Sequence, residues 1–413
     1  MTATDVDATA DDDYDPFEAF NKSTGAGIVE NPYPDFVALR RDTPVAELDL
    51  REMFGLADDE APEHAVWTVN TFEAVQAVLR DGDGFSSKGY EEIMGAVFGH
   101  SILEMDEPEH HTYRGLIQQA FTRKAMERWE TDVIGPAVHA LIDDFIEDGR
   151  ADLVSQLTFP FPFEVIADQL VLPEDDKPRF HRMATELISV QVDMDRALQA
   201  SADLHAYFSD VIAQRRAVPA QDLISVLAQA ELDGQQLTDD EIIAFLRLLL
   251  SAGAETTYRS SSNLLYGLLT HPEQLAAVRD DRSLLPQAIE EALRWEPPLL
   301  TIMRTAAQDV ALGGKELHPG DTVVINIGAA NHDETRWDDP ETFDIFRPQA
   351  PHIAFASGVH MCLGIHLARM ETMVAVNAIL DRLPDLGLDP DAEAPYITGM
   401  VFRAPPALPV VFG

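Results

Sequence analysis

The sequence of 413 residues contains a single cysteine, Cys362, and few basic residues. One thiol excludes an intramolecular disulfide, and it excludes zinc ribbons and iron–sulfur clusters, which need several thiolates. Lys and Arg number 29 against 72 Asp and Glu, which gives a formal net charge of −43. This balance argues against a nucleic-acid partner and against binding to anionic lipid, because both require clustered positive charge.

The chain also lacks the sequence signals of membrane insertion and export. Its longest apolar stretch, 242–250, contains Arg247 and is far shorter than the roughly 20 residues that a membrane-spanning helix needs. Six Asp precede Lys22, the first basic residue, and such a segment is not a signal peptide. We therefore expect a cytoplasmic protein without membrane contact and with an acidic, mobile tail over residues 1–30.

Helical periodicity dominates the rest of the chain. No repeat, low-complexity linker or Gly/Ser-rich hinge interrupts it, so we predict one large domain over residues 31–413. The predicted fold class is mainly α with a minor β region. Apolar residues at three- and four-residue spacing predict helices around 34–41, 71–79, 109–121, 129–145, 178–216 and 272–280. Short β-like segments occur at 65–69, 322–327 and 407–412.

One predicted helix is unusually long. Residues 238–241 form a capping box, and the helical pattern continues to about Thr270, so about 32 residues would extend roughly 48 Å and cross the domain. The centre of this helix, 252–257, reads AGAETT. The Thr256 hydroxyl can bond to the Ala252 carbonyl and widen the helix beside an acid, where a small ligand could sit. A crossing of small residues with a solvated glutamate explains this segment equally well.

The cysteine lies in a loop that leads into another predicted helix, and the segment 355–364 reads FASGVHMCLG. A helix N-terminus stabilises a thiolate, and Gly364 leaves room for a flat group to approach the backbone. His360 could meet a carboxylate at the edge of such a group. A lone cysteine can be a buried structural residue, a nucleophile or an axial metal ligand, and a thiolate ligand to haem needs these surroundings.

Four segments of the chain together resemble the cytochrome P450 superfamily. The loop matches the haem-binding loop of the superfamily at Phe355, Gly358, Cys362 and Gly364. Residues 291–294 resemble its Glu-x-x-Arg helix, 343–347 the segment that supplies a further arginine, and 252–257 its oxygen-binding groove. The resemblance extends over about residues 31–412 and is closest to soluble bacterial members.

The resemblance implies roles for individual residues. It implies haem b as the cofactor, Cys362 as its axial iron ligand, and Glu255 and Thr256 as the acid and alcohol that relay protons. It implies contacts with haem or its propionates at His110, Arg114, Ala252, Arg304, Phe355, His360 and Gly364. It implies a structural ion-pair triad of Glu291, Arg294 and Arg347. It implies a substrate pocket lined by Val97, Phe98, Leu249, Leu300, Ile302, Val401 and Phe402.

The resemblance also implies an activity and its partners. We expect a monomeric monooxygenase that hydroxylates or epoxidises a terpenoid, steroid or fatty acid, using O2 and electrons from a ferredoxin with a separate NAD(P)H ferredoxin reductase. Four cations and one acid between Arg114 and Arg128 form a basic patch that would suit an acidic ferredoxin. The alternatives are a peroxide-driven peroxygenase, a non-catalytic haem-binding sensor, and a haem-free helical protein with a buried Cys362.

Overall fold

Helices form most of the part of the chain that the structure, a computed structural model, describes, namely residues 15–56, 62–188, 190 and 192–413. Side-chain caps and prolines set many of the helix starts, such as the Thr71 hydroxyl and Pro160. The helices of the first half are Pro16–Ser23 (α1), Tyr33–Asp42 (α2), Leu50–Met53 (α3), Phe72–Arg80 (α4), Gly89–Phe98 (α5), Glu109–Ile117 (α6), Arg123–Trp129 (α7) and Gly135–Asp143 (α8).

The second half contains the longer helices, which confirms the predicted fold class of mainly α structure. They are Pro160–Gln169 (α9), Lys177–Ile188 (α10), Met194–Ala217 (α11), Leu223–Gln229 (α12), Asp239–Thr270 (α13), Pro272–Asp280 (α14), Leu285–Trp295 (α15), Ile327–Asn331 (α16) and Ile365–Arg382 (α17). No helix in the described ranges has the length and apolar character required to cross a membrane.

Two of the predicted helices are interrupted. The segment predicted at 178–216 is two helices, because α10 ends at Ile188 and α11 begins at Met194, and the two pack on each other. The segment predicted at 129–145 begins with a π-helical turn, Glu130–Ile134, before α8. The three- and four-residue spacing of apolar residues runs through both interruptions, because the helix on each side of an interruption buries an apolar face of its own.

The long helix α13 is confirmed, with 32 residues. The Thr238 hydroxyl accepts a hydrogen bond from the Glu241 N–H, and the Glu241 carboxylate accepts one from the Thr238 N–H, which is the predicted capping box. The helix packs against α9, α11, α15 and α17. It therefore runs through the main apolar core and places residues 252–257 at its centre.

Short strands form the minor β region. The strands are Val45–Glu47 (β1), Val66–Val69 (β2), Phe85–Ser86 (β3), Arg150–Asp152 (β4), Glu231–Leu232 (β5), Gln235–Gln236 (β6), Thr301–Ala306 (β7), Val310–Leu312 (β8), Lys315–Leu317 (β9), Thr322–Asn326 (β10), Gly387–Leu388 (β11) and Pro409–Val411 (β12). The largest sheet among the described residues has the order β1-β2-β10-β7-β3, in which β2 and β10 are parallel and the other pairs antiparallel. Strand β7 pairs Arg304 with Val323 of β10.

The prediction of a mobile tail over residues 1–30 is wrong for residues 15–30, while residues 1–14 lie outside the described ranges. Helix α1 contacts α10, and Phe20 and Val29 are buried. The Met400 N–H donates to the Thr24 carbonyl, and the Gly399 N–H donates to the Val29 carbonyl. These apolar and backbone contacts join the segment to the carboxy-terminal part of the fold.

A partly buried carboxylate on α15, that of Glu290, makes the stability of the fold depend on pH. Arg369 donates to both oxygens of Glu290, at 2.6 and 2.7 Å, and His352 lies 3.2 Å from the carboxylate. Burial alone would raise the pKa of Glu290, but the hydrogen bonds with His352 and Arg369 lower it to about 2. Because the pKa is lower in the folded protein, the ionised carboxylate stabilises the fold above about pH 4.5.

We therefore expect Glu290→Gln to have a smaller free energy of unfolding than the parent protein at neutral pH. The difference should shrink as the pH falls from about 4.5 towards 2, where the parent carboxylate also loses its charge. Urea unfolding across this pH range measures it, and Glu273→Gln at an exposed position of α14 is the control. A difference that is independent of pH would contradict the ionic role of Glu290.

Candidate functional site

The loop that carries Cys362 is held by backbone contacts. The Cys362 N–H donates to the Phe355 carbonyl at 3.0 Å, and the Met361 N–H donates to the Gly358 carbonyl at 3.1 Å. Gly358 has φ of +77°, and a Cβ there would lie 2.3 Å from the Leu79 carbonyl oxygen. Only glycine fits this turn, and the turn delivers Cys362 to the first residues of α17.

The surroundings of the Cys362 thiol would hold a thiolate more firmly if a metal ion were bound to the sulfur. The residue is partly buried, and burial raises the pKa of the thiol. A hydrogen bond from the Gly364 N–H and the charges of Arg114 and Arg369 act in the opposite direction. A cation bound to the sulfur would add the positive charge that stabilises the thiolate.

Four basic side chains that were predicted separately lie together beside this loop: His110, Arg114, Arg304 and His360. The rings of His110 and His360 are 4.1 Å apart between centroids, and Arg114 Nη2 donates to the Met361 carbonyl at 2.7 Å. Burial and then the charges of Arg304, His110 and Arg114 lower the pKa of His360 to about 3. Burial lowers the pKa of His110 as well, so both histidines are neutral hydrogen-bonding groups at pH 7, and the positive charge of the cluster lies on the two arginines.

The cluster and its surroundings fit haem. In the described ranges neither arginine forms an ion pair with a carboxylate, and His110 Nε2 is buried without a hydrogen-bond partner. Propionate carboxylates are ligands that such donors would bind strongly. A Cβ on Gly364 would meet no atom within 4 Å, and Ala252 is exposed in the middle of the otherwise buried helix α13. The site thus has space for a flat group between α13 and the cysteine loop.

The predicted structural triad is present. Arg294 donates to both oxygens of Glu291, at 2.8 and 2.7 Å, and Arg347 Nε donates to Oε1 at 3.3 Å. Arg294 also donates to the carbonyls of Asn331, Pro340 and Thr342. The triad therefore joins α15 to the chain that precedes the cysteine loop.

The predicted acid–alcohol pair is only partly as expected. Thr256 Oγ1 donates to the Ala252 carbonyl at 2.9 Å, as predicted, although α13 stays α-helical there and does not widen. The alternative of a solvated glutamate does not hold, because Glu255 is buried and forms an ion pair with Arg259. Sequence reasoning missed Arg259, although its spacing of four residues from Glu255 on one helix is a signal for such a pair.

The predicted pocket residues fall into two groups. Val97 and Phe98 are fully buried in the main core, and Leu300 packs in a separate apolar cluster with Phe36 and Met400. These three residues serve as core in this structure, because neighbouring side chains enclose them. The partly buried residues remain the better candidates for substrate contact, and they are Leu249, Ile302, Val401 and Phe402.

The predicted basic patch is smaller than expected. Arg114 turns inwards to the Met361 carbonyl, and Arg123 forms a salt bridge with Glu127 at 2.8 Å. The positive charge that the segment presents to solvent therefore lies on the exposed Lys124, the partly exposed Arg128 and a partly neutralised Arg123.

Three kinds of comparison relate the chain to known proteins. Residues 183–384 match the family model described as Cytochrome P450. The chain is 35% identical to cytochrome P450 monooxygenase PikC of Streptomyces venezuelae over 94% of this chain and 92% of PikC. It is 37% identical to the steroid C26-monooxygenase of Mycolicibacterium smegmatis over 83% and 86% of the two chains. The crystal structure of CYP109E1 from Bacillus megaterium with testosterone superposes with a TM-score of 0.83, at 33% identity over 93% and 99%.

The triad should dominate the stability of this region. In Arg294→Ala the Glu291 carboxylate stays buried without its main partner, so we expect the free energy of unfolding to fall by about 3–5 kcal/mol. Urea unfolding measures the change. Arg282→Ala, which removes a partly exposed pair with Asp381, is the control and should cost at most about 1 kcal/mol. Equal losses in the two variants would contradict the structural role of the triad.

Proposed function

Because the chain belongs to the cytochrome P450 family, whose members carry haem b on a cysteine thiolate and act as monooxygenases, we propose that it inserts one oxygen atom of O2 into a hydrophobic small molecule. The second oxygen atom leaves as water, with two electrons and two protons supplied. The observation that carries the proposal is the setting of Cys362 on its constrained loop beside four basic side chains.

The residues of the loop and its neighbours would hold the cofactor. Cys362 would bind the iron, and Arg114, Arg304, His110 and His360 would face the propionates. When bound, the haem supplies the activation of O2. The Gly364 N–H bond to the sulfur would tune the thiolate by withdrawing part of its charge.

The centre of α13 would handle protons. Thr256 Oγ1 can hold a proton on the side of the helix where Ala252 is exposed. The Glu255 carboxylate adjoins it in sequence and is the nearest acid on this helix, so the pair remains our proposal for general acid function. The two side chains do not bond to each other, and transfer between them would therefore pass through water.

The substrate would be a terpenoid, a steroid or a fatty acyl compound. The partly buried pocket candidates are all apolar, and apolar walls with few polar groups favour such ligands. The names of the relatives support a steroid in particular, since one is a steroid C26-monooxygenase and another was solved with testosterone.

Electrons would come from a separate redox partner. We propose a ferredoxin with an NAD(P)H ferredoxin reductase, docked near the cysteine loop at Lys124 and Arg128, since Arg114 joins this segment to the loop through its bond to the Met361 carbonyl. The cytoplasmic location and the monomeric state stay predictions.

The first test is the carbon-monoxide difference spectrum of the dithionite-reduced protein. We expect a strongly red-shifted Soret band, because a thiolate donates electron density to the iron. Cys362→Ala should lose that band, and His366→Ala, at an exposed position four residues later, should keep it. A band typical of histidine-ligated haem in the parent protein would contradict thiolate ligation, and no band would contradict haem binding.

The second test concerns the proton relay. We expect Thr256→Ala to retain haem and its red-shifted band but to lower the product formed per NADH about tenfold, since a lost proton donor diverts O2 to peroxide. A spectral screen of terpenes, steroids and fatty acids supplies the substrate, and Thr270→Ala near the end of α13 is the control. Full coupling of NADH to product would show that Thr256 has no such role. Turnover driven only by peroxide would favour the peroxygenase alternative.

A further inference from the structure

Arg259 lies where α13, α1 and the carboxy-terminal chain meet. Its Nε and Nη2 both donate to Glu255 Oε1, and the Nε bond measures 2.6 Å. Nη2 also donates to Asn21 Oδ1 of α1 at 2.5 Å. The guanidinium group lies 4.9 Å from the ring centre of Tyr258 and 5.3 Å from that of Phe402. Only 3% of the Arg259 side chain is exposed, so its position is fixed from every side.

These contacts leave one oxygen of Glu255 unused. Both bonds from Arg259 go to Oε1, and Oε2 accepts no hydrogen bond from any side chain or backbone group in the described ranges. Glu255 borders a cavity of about 30 Å³, which is enough for a water molecule. Polar groups that could bind this water also line the cavity, and they are Ser251, Thr185 and His181.

Helix α1 forms part of the wall of this cavity. Phe17 lines it, with its ring 4.4 Å from that of Phe159. Phe20, one turn further along α1, contacts Phe402 at 5.4 Å between ring centres. Helix α1 therefore both lines the cavity through Phe17 and supplies the Asn21 oxygen that accepts a hydrogen bond from Arg259.

We propose that Arg259 and Asn21 are positioning residues that hold Glu255 with its second oxygen towards this cavity, which makes α1 part of the proton-delivery route. The inference rests on the proposed function, in which Glu255 and Thr256 supply protons. A water in the cavity would pass a proton from solvent to Glu255 Oε2, regaining one from solvent as it does so. The resulting carboxylic acid would give the proton to water on the Thr256 side and return to the carboxylate. A glutamate without the anchor would lose this fixed orientation, and misplacement of a proton donor slows transfer.

The test uses the full-length, haem-loaded protein without organic substrate, supplied with NADH, ferredoxin and reductase. O2 is then reduced either by two electrons to hydrogen peroxide or by four electrons to water, and the second outcome needs protons delivered where the O–O bond breaks. The ratio of peroxide to water therefore reports the relay without knowledge of the substrate. We expect Asn21→Ala to raise this ratio about tenfold or more, as the loss of one hydrogen bond to a charged group predicts.

Arg259→Lys should have at least the effect of Asn21→Ala, because one ammonium group cannot reproduce the planar arrangement of bonds to Glu255 and Asn21. Since both residues act through one contact, the double variant should be no worse than Arg259→Lys alone. Urea unfolding of the same variants measures the contact independently of turnover, and the two substitutions should again be non-additive. Additive effects in both measurements would overturn the proposed coupling.

Two controls separate this role from general destabilisation. Lys22→Ala changes an exposed residue of α1 beside Asn21, and Arg40→Lys weakens another buried arginine, which pairs with Glu334 at 3.1 Å. Neither should change the ratio of peroxide to water. If Glu255→Gln leaves the ratio unchanged, the proposed relay itself fails. If Glu255→Gln raises the ratio and Asn21→Ala and Arg259→Lys do not, the relay stands and the positioning role is overturned.

Discussion

Pairing of buried carboxylates with arginine determines where distant parts of this chain meet. Arg294 binds Glu291 on its own helix and also three carbonyls of the segment 331–342. Arg403 binds Glu296 at 2.6 Å and the carbonyls of Gly399 and Glu30. Such pairs add little net stability over an apolar core, but the loss of one partner is costly. Each pair therefore selects one arrangement of its neighbours, and the amino-terminal segment, α15 and the carboxy-terminal turns are fixed relative to one another in this way.

The arginines beside the cysteine loop differ from these structural pairs. Within the described part of the chain, Arg114 and Arg304 donate to the carbonyls of Met361 and Met303 and form no ion pair, although acids outnumber bases by more than two to one. Burial lowers the pKa of both arginines, so their charge is only partly compensated by the protein. An anionic cofactor would supply the missing negative charge. A buried charge needs a partner of opposite sign, and this one requirement accounts both for the fixed positions of the structural pairs and for the preference of the site for an anion.

Local patterns in the sequence predicted those features that depend on neighbours along the chain. The capping box at Thr238 and the length of α13 are of this kind, because both follow from the pattern of residues close together along the chain. Strand β7 was missed, since its pairing with β10 is decided by tertiary contact. The packing of α1 was missed for the same reason. The acidic composition suggested a tail, yet α1 packs on α10, its Phe17 contacts Tyr258 of α13, and its Phe20 contacts Phe402 of the carboxy-terminal chain.

The large negative charge also constrains how a redox partner could approach. Few exposed cations remain near the cysteine loop, because most arginines of the neighbourhood are turned inwards or paired. Long-range attraction of an acidic ferredoxin would then be weak, and repulsion would extend over a Debye length of about 8 Å at physiological salt but only about 3 Å at 1 M. Val359 and Met361 are exposed on the loop itself, at 45% and 42%. Association with the redox partner would therefore depend mainly on apolar contact at short range, and Lys124 and Arg128 would set the orientation of the partner. High salt would favour this association, because it screens the net charge.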